Sequence, residues 1–301
     1  MSWLVIAILA YLIFAVVFLV DKYLLTGPIP SPKVYAFYVG VLEVLILAII
    51  PFVGFYVPAP FQVFLSLVAG GIYVLAILYF FRGLQIFEPS RIVPAVGGLI
   101  PIFSLFFVFL LSKGNDIPEL SSFFALFLLV IGTILITYEK KKIITLNSLK
   151  ISVVAALLFG LHFVLIKYVY IDQSFWNGFI WIRIGGAITA LLFLFSRDMR
   201  ESLFKQKIGL RRKTAAIFIS NQVAGAGGGI LQNWAIALAP LASVSLVPAL
   251  QGTQYVFLLA IAAFISFKFP RFLKEKISRD VLLQKIIAIL LIGGGLVLIS
   301  L

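Results

Sequence analysis

The sequence predicts an all-α integral membrane protein, with ten transmembrane helices forming two inverted five-helix repeats around a central cavity. Three observations predict it. The chain of 301 residues is 63% hydrophobic and 12% charged, outside the balance of a soluble domain. Its apolar residues gather into ten stretches long enough to cross a bilayer, which takes roughly 20 residues for ~30 Å of hydrocarbon. And the chain repeats itself. At an offset of 145 residues Ala10 falls on Ala155, Phe14 on Phe159, Phe18 on Phe163 and Lys22-Tyr23 on Lys167-Tyr168. Val93-Pro94-Ala95, Gly98 and Phe103 likewise answer Val247-Pro248-Ala249, Gly252 and Phe257.

The stretches follow in order. The first, 2–20, lacks a basic n-region and is too long for a signal peptide, so a retained span is expected. Stretches 34–55 and 62–82 carry Glu43 and Tyr73; 92–112 opens on the Pro94 motif, and 121–138 closes the first half. The second half runs 150–170 with His162, 176–196 with Arg183, 214–238 with four amides, 240–266 with Pro248, and 281–300. Connections are short, leaving no soluble domain, and the halves divide as 1–142 and 143–301. Five spans per half is an odd number, so the second copy enters from the opposite face and the repeat is inverted.

The net charge of +13 belongs to topology, not to nucleic acid. Of 24 Lys and Arg, all but four lie in or beside alternate connections. Lys113 and Lys167 are on the other side, and Arg183 and Lys285 fall within stretches. Basic loops stay in the cytoplasm, which places the odd-numbered connections inside a cell membrane and both termini outside. Such a surface also attracts anionic membrane lipid.

Tyr79–Phe103 (YFFRGLQIFEPSRIVPAVGGLIPIF) is echoed by Leu231–Phe257 (LQNWAIALAPLASVSLVPALQGTQYVF), each followed by a glycine-containing helix, LVIGTILIT and LIGGGLVLI. Across essentially the whole chain this resembles the EamA-like family of the drug/metabolite transporter superfamily. Arg183 in FIWIRIGG resembles the arginine that opens the second helix of a family repeat. The first half has Tyr38 or Val39 there, and family members have cytoplasmic termini, two departures. The resemblance implies a cavity lined by spans 1, 3, 4, 6, 8 and 9, with 5 and 10 peripheral. It implies secondary transport of a small metabolite, often outward, by alternating access, as a monomer or homodimer and without a cofactor.

An ionisable group inside the bilayer costs ~2.5–3.5 kcal/mol on insertion scales. Three stand within stretches: Glu43, His162 and Arg183. Glu43 is read either as a proton-coupling carboxylate or as one half of a static ion pair with Arg183, which stands in the span equivalent to its own in the other half. Arg183 could instead meet an anionic solute or snorkel. His162 suits proton coupling by its titration range, and packing by its apolar neighbours. Asn221 and Gln232, and Gln222 and Asn233, are eleven residues apart and share helix faces around Gly225 and Gly229. They are expected to line a cavity or to bond neighbouring helices. Gln251 and Gln254 extend that lining, and Tyr73 and Trp234 are candidates to stack on a flat solute. Pro94 and Pro248 are expected to kink matching helices, and Lys22 and Lys167 to act as gate charges or interfacial anchors.

Other classes fit less well. The five aspartates (Asp21, Asp116, Asp172, Asp198, Asp280) sit at or beyond the ends of the stretches, so no intramembrane dyad is expected. There is one histidine, no cysteine, no GxSxG elbow and no GxxxxGK[ST] run, so neither an enzyme nor an ATPase is expected, nor any metal or disulfide. A non-transporting receptor or assembly subunit stays open as the alternative.

Overall fold

The computed structural model describes residues 2–26, 32–86, 89–116, 118–138, 146–197, 200–201, 212–268 and 279–300. Among them there is no strand. The first half comprises α1 (Ser2–Thr26), α2 (Pro32–Leu42), α3 (Ile50–Val53), α4 (Pro60–Ile86), α5 (Pro89–Leu111) and α6 (Leu120–Thr137). The second comprises α7 (Leu146–Asp172), α8 (Phe175–Leu192), α9 (Arg212–Leu238), α10 (Leu246–Ala249), α11 (Gln251–Lys268) and α12 (Arg279–Ser300). Six segments are long and apolar enough to cross a membrane: Ser2–Leu25, Val34–Val53, Pro60–Leu84, Leu146–Asp172, Phe175–Phe195 and Leu241–Ile261. Shorter apolar helices occupy Ala95–Leu111, Leu120–Ile136 and Leu283–Ile299. The remaining long helix, α9, is 27 residues, and its amides and glycines make it the most polar of the long helices.

Two expected helices are not uniform. The stretch 34–55 begins as α2, tightens into a 3₁₀ helix over Glu43–Ile49, and returns to α at α3, which Gly54 ends in a left-handed conformation (φ 65°). Pro51 removes one backbone donor here, which favours a local change of helical form. The stretch 240–266 is likewise broken: a 3₁₀ turn at Leu241–Ser243, then α10, then α11. Pro248 falls in the first turn of α10, where a missing N–H costs nothing. By contrast α5 runs unbroken through Pro94. The two matching prolines thus sit in different settings, Pro248 in a broken stretch and Pro94 in a continuous helix.

The halves interleave rather than stand apart. α1 packs along α9, α4 along α7 and α8, α5 along α7, and α6 along α12. Small residues permit the closest approaches, as expected where packing, not water exclusion, holds helices together. A Cβ on Gly70 would fall 1.8 Å from the Ile182 carbonyl oxygen, and one on Gly185 would fall 2.3 Å from that of Leu67, so α4 and α8 touch backbone to backbone. Gly160 lets α7 approach Phe103 and Ser104 of α5, and Gly132 and Gly295 bring α6 against α12. The outward faces carry Leu12, Val16, Phe64, Phe106, Phe127, Leu191, Val223 and Leu290, exposed and apolar as a lipid-facing surface requires.

Candidate functional site

Among the described residues, the centre of the bundle holds one ion pair. Arg183 Nη1 lies 2.5 Å from Glu43 Oε1, with 12% and 8% of the two side chains exposed. Glu43 is the tenth of the twenty residues of Val34–Val53, and Arg183 the ninth of the twenty-one of Phe175–Phe195, so both stand near mid-span. The Arg183 guanidinium lies over the Phe179 ring at 4.6 Å and the Tyr73 ring at 5.4 Å, where aromatic faces attract a cation. The second oxygen of Glu43, Oε2, is buried and accepts no hydrogen bond. It rests against Gly186, whose missing side chain makes the room: a Cβ there would stand 2.0 Å from Oε2. Gly186→Ala is therefore expected to push Glu43 off Arg183 and cost about 1–3 kcal/mol, read as a lower unfolding temperature in detergent.

His162 is buried, and its Nδ1 donates to the Ala69 carbonyl at 2.9 Å. Its ring sits 4.9 Å from that of Tyr73, which links it to the Arg183 centre through α4.

Each amide is engaged. Gln232 Nε2 donates to Tyr11 Oη at 3.2 Å, and Tyr11 donates to the Val247 carbonyl at 2.9 Å. Asn233 accepts from Tyr170 Oη at 2.8 Å and donates to the Gly229 carbonyl at 2.9 Å. Gln254 donates to the Phe14 carbonyl at 3.3 Å and Gln251 to Tyr255 Oη at 3.2 Å. Asn221 donates to Asp21 Oδ1 at 2.6 Å, and Gln222 to Tyr35 Oη at 3.5 Å. Most of these bonds join different helices. The amides of α9 thus bond its neighbours, while half-buried Gln222, Gln232 and Gln251 keep some surface inside the bundle.

Asp21 changes the sequence-based picture. It lies in the last two turns of α1, close to the end of the Ser2–Leu25 segment as expected, yet it is half-buried there and accepts hydrogen bonds from Tyr35 and Asn221. The apolar stretch was closed at residue 20, whereas α1 continues to Thr26. One signal pointed to it: in the repeat, Asp21 falls on Ile166, so the acid is an addition to one copy only.

Two expected residues stand apart from the centre. Trp234 is 40% exposed and packs against Phe175 and Trp176, an aromatic group at the bundle's edge rather than a cavity wall. Lys167 donates to the Ala237 carbonyl at 2.8 Å, in the last turn of α9. There an ammonium satisfies an orphan carbonyl and opposes the helix dipole. The side chains of Lys22 and Pro94 lie outside the described residues.

No protein-family model matches the chain, and no curated protein matches it. Among solved structures, a crystal structure of a protein superposes with a TM-score of 0.70 over 99% of this chain and 96% of that one, at 16% identity. At that identity the likeness extends to the fold and no further. The chain is an apolar, helical protein whose described residues include six helices long and apolar enough to cross a membrane, and its fold is shared over 99% of its length with a solved structure.

Proposed function

We propose that the chain is a secondary transporter, an exporter of a small metabolite working by alternating access, built as two inverted five-helix repeats of the EamA-like kind. The observation that carries this is the Glu43–Arg183 pair. Opposed charges at mid-span, flanked by Tyr73, Phe179 and Gly229 of α9, are expensive in a bilayer and are usually placed where a solute passes. Their neutral sum favours a neutral or zwitterionic solute. The exchange of packing partners supports the repeat: α1 lies on α9 as α4 lies on α7, which is the relation a twofold axis between the halves requires. The basic connections are placed in the cytoplasm and both termini outside.

Solute uptake into liposomes, with and without a pH gradient, tests the reading; no saturable flux for any small metabolite would overturn it. Glu43→Gln separates coupling from pairing. Proton-gradient dependence that persists in this variant removes Glu43 as the coupling carboxylate. Orientation is tested by labelling, since the chain has no cysteine. Asn115→Cys is expected to react from outside the cell and Lys141→Cys only after permeabilisation.

A further inference from the structure

Two clusters of polar side chains stand at opposite ends of the bundle. The first joins α1, α2 and α9: Asp21 Oδ1 accepts from Tyr35 Oη and from Asn221 Nδ2 at 2.6 Å. The second joins α4, the end of α7, and α8. There Gln173 Nε2 donates to Ser66 Oγ at 3.0 Å, Asn177 Nδ2 to Gln173 Oε1 at 2.9 Å, and the Tyr56 amide to Asn177 Oδ1 at 3.0 Å. Helix α9 fixes their separation. Asn221 is its tenth residue, whereas Ala237, bonded by Lys167 near the end of α7, is in its last turn. Sixteen residues of helix put about 24 Å between them.

In the repeat correspondence α1 with α7, α2 with α8 and α9 with α4, the two clusters join corresponding helices, although residue by residue Asp21 falls on Ile166 and not on Gln173. Their chemistry differs. The second is built from amides and a hydroxyl, and its carboxylate, Asp172, is on the exposed rim with Gln62. The first depends on a half-buried carboxylate, and lies toward the ends of α1 and α9 that adjoin the basic connections. The described groups facing Asp21 are Tyr35 from α2 and Asn221 from α9, with Gln222 behind Tyr35. The neighbouring Lys22 side chain lies outside the described residues.

We propose that Asp21 is a proton-binding latch. As a carboxylate it ties α1 to α2 and α9 and holds the basic end shut; with a proton taken from water it lets go, and that end opens to solute. The latch rests on the transport reading above. Its physical basis is that both bonds to Oδ1 are charge-assisted, roughly twice as strong as neutral ones, so one proton weakens two interhelical links together.

Gly225, one turn below Asn221, offers a reporter position, because a side chain there would meet only Val17 Cγ1 at 3.7 Å. In liposomes, the rate at which a membrane-impermeant maleimide labels Gly225→Cys is divided by the rate for Ser196→Cys. Ser196 is exposed, and the ratio cancels the thiol's own titration. The ratio is expected to rise about tenfold from about pH 8 to about pH 5. Asp21→Asn is expected to flatten that response, and Tyr35→Phe to raise the ratio at about pH 8. A response that survives Asp21→Asn, or none in the native background, overturns the proposal. Should Asp21→Asn fail to fold, an unchanged ratio in both Tyr35→Phe and Asn221→Ala overturns it equally. Labelling needs no solute, so the two readings fail separately. Liposomes that label as expected but move nothing refute transport and keep the latch; solute flux with labelling indifferent to pH does the reverse.

Discussion

Replacing Arg183 by leucine is expected to destabilise the fold by about 3–5 kcal/mol and to abolish uptake, because Glu43 would be left charged in an apolar interior with neither oxygen satisfied. In the native pair Oε1 meets Arg183 and Oε2 already lacks a partner, so nothing else described is placed to compensate. A drop of about 10 °C in unfolding temperature is the expected reading. The double variant Glu43→Leu/Arg183→Leu removes both charges together. It is expected to recover stability to within about 1 kcal/mol of the native chain, since well-packed apolar residues replace a buried pair at little cost. Uptake is not expected to return. Stability recovered without transport would separate a working centre from a merely structural one. Both recovered together would mean the pair is only scaffolding.

The second large effect is expected at the crossing of α4 and α8. Any side chain at Gly70 or Gly185 meets a backbone oxygen of the other helix, at 1.8 Å or 2.3 Å, and backbone cannot rotate away. Gly70→Ala is expected to force the helices apart and cost more than about 3 kcal/mol, beyond the usual penalty of overpacking. It would also draw Tyr73, one turn along α4, away from Arg183. Gly227 supplies the control, because an added Cβ there has nothing within 4 Å. Gly227→Ala is expected to be neutral or to stabilise by up to about 1 kcal/mol through helix propensity. Thermal unfolding of the two variants side by side decides the matter. Equal behaviour would mean that the close crossing does not limit stability.

Much of this was legible in the sequence, for identifiable reasons. Runs of Leu, Ile, Val and Phe bounded by Pro, Gly and charge gave the helical segments to within a few residues, since length against bilayer thickness is a one-dimensional problem. Glu43 and Arg183 could be named as partners because they have opposite charge, stand mid-stretch and belong to spans that correspond in the two halves. The partners of the amides were not legible. Whether Asn233 faces a cavity or Tyr170 depends on how α7 and α9 cross, which no local pattern encodes. Asp21 was missed because its stretch was ended at the last unbroken apolar residue, although α1 runs on for another turn and more. The break between α10 and α11 was anticipated as a kink at Pro248, but the same residue at Pro94 leaves α5 continuous, so the proline alone does not determine the outcome.

The 3₁₀ stretch that begins at Glu43 has a consequence in length. A 3₁₀ helix rises ~2.0 Å per residue where an α-helix rises 1.5 Å, so seven residues gain about 3.5 Å. The same seven residues wound as α would shorten this segment by that amount. They would also turn everything beyond Glu43 by roughly 140°, the difference between 120° and 100° per residue accumulated over the stretch. Glu43 stands at the fixed end of that screw, held to Arg183, while Gly54 and the connection to α4 stand at the moving end. The segment can act as an extensible tie whose reach changes by winding, with its anchor at the middle of the protein and its travel delivered at the surface.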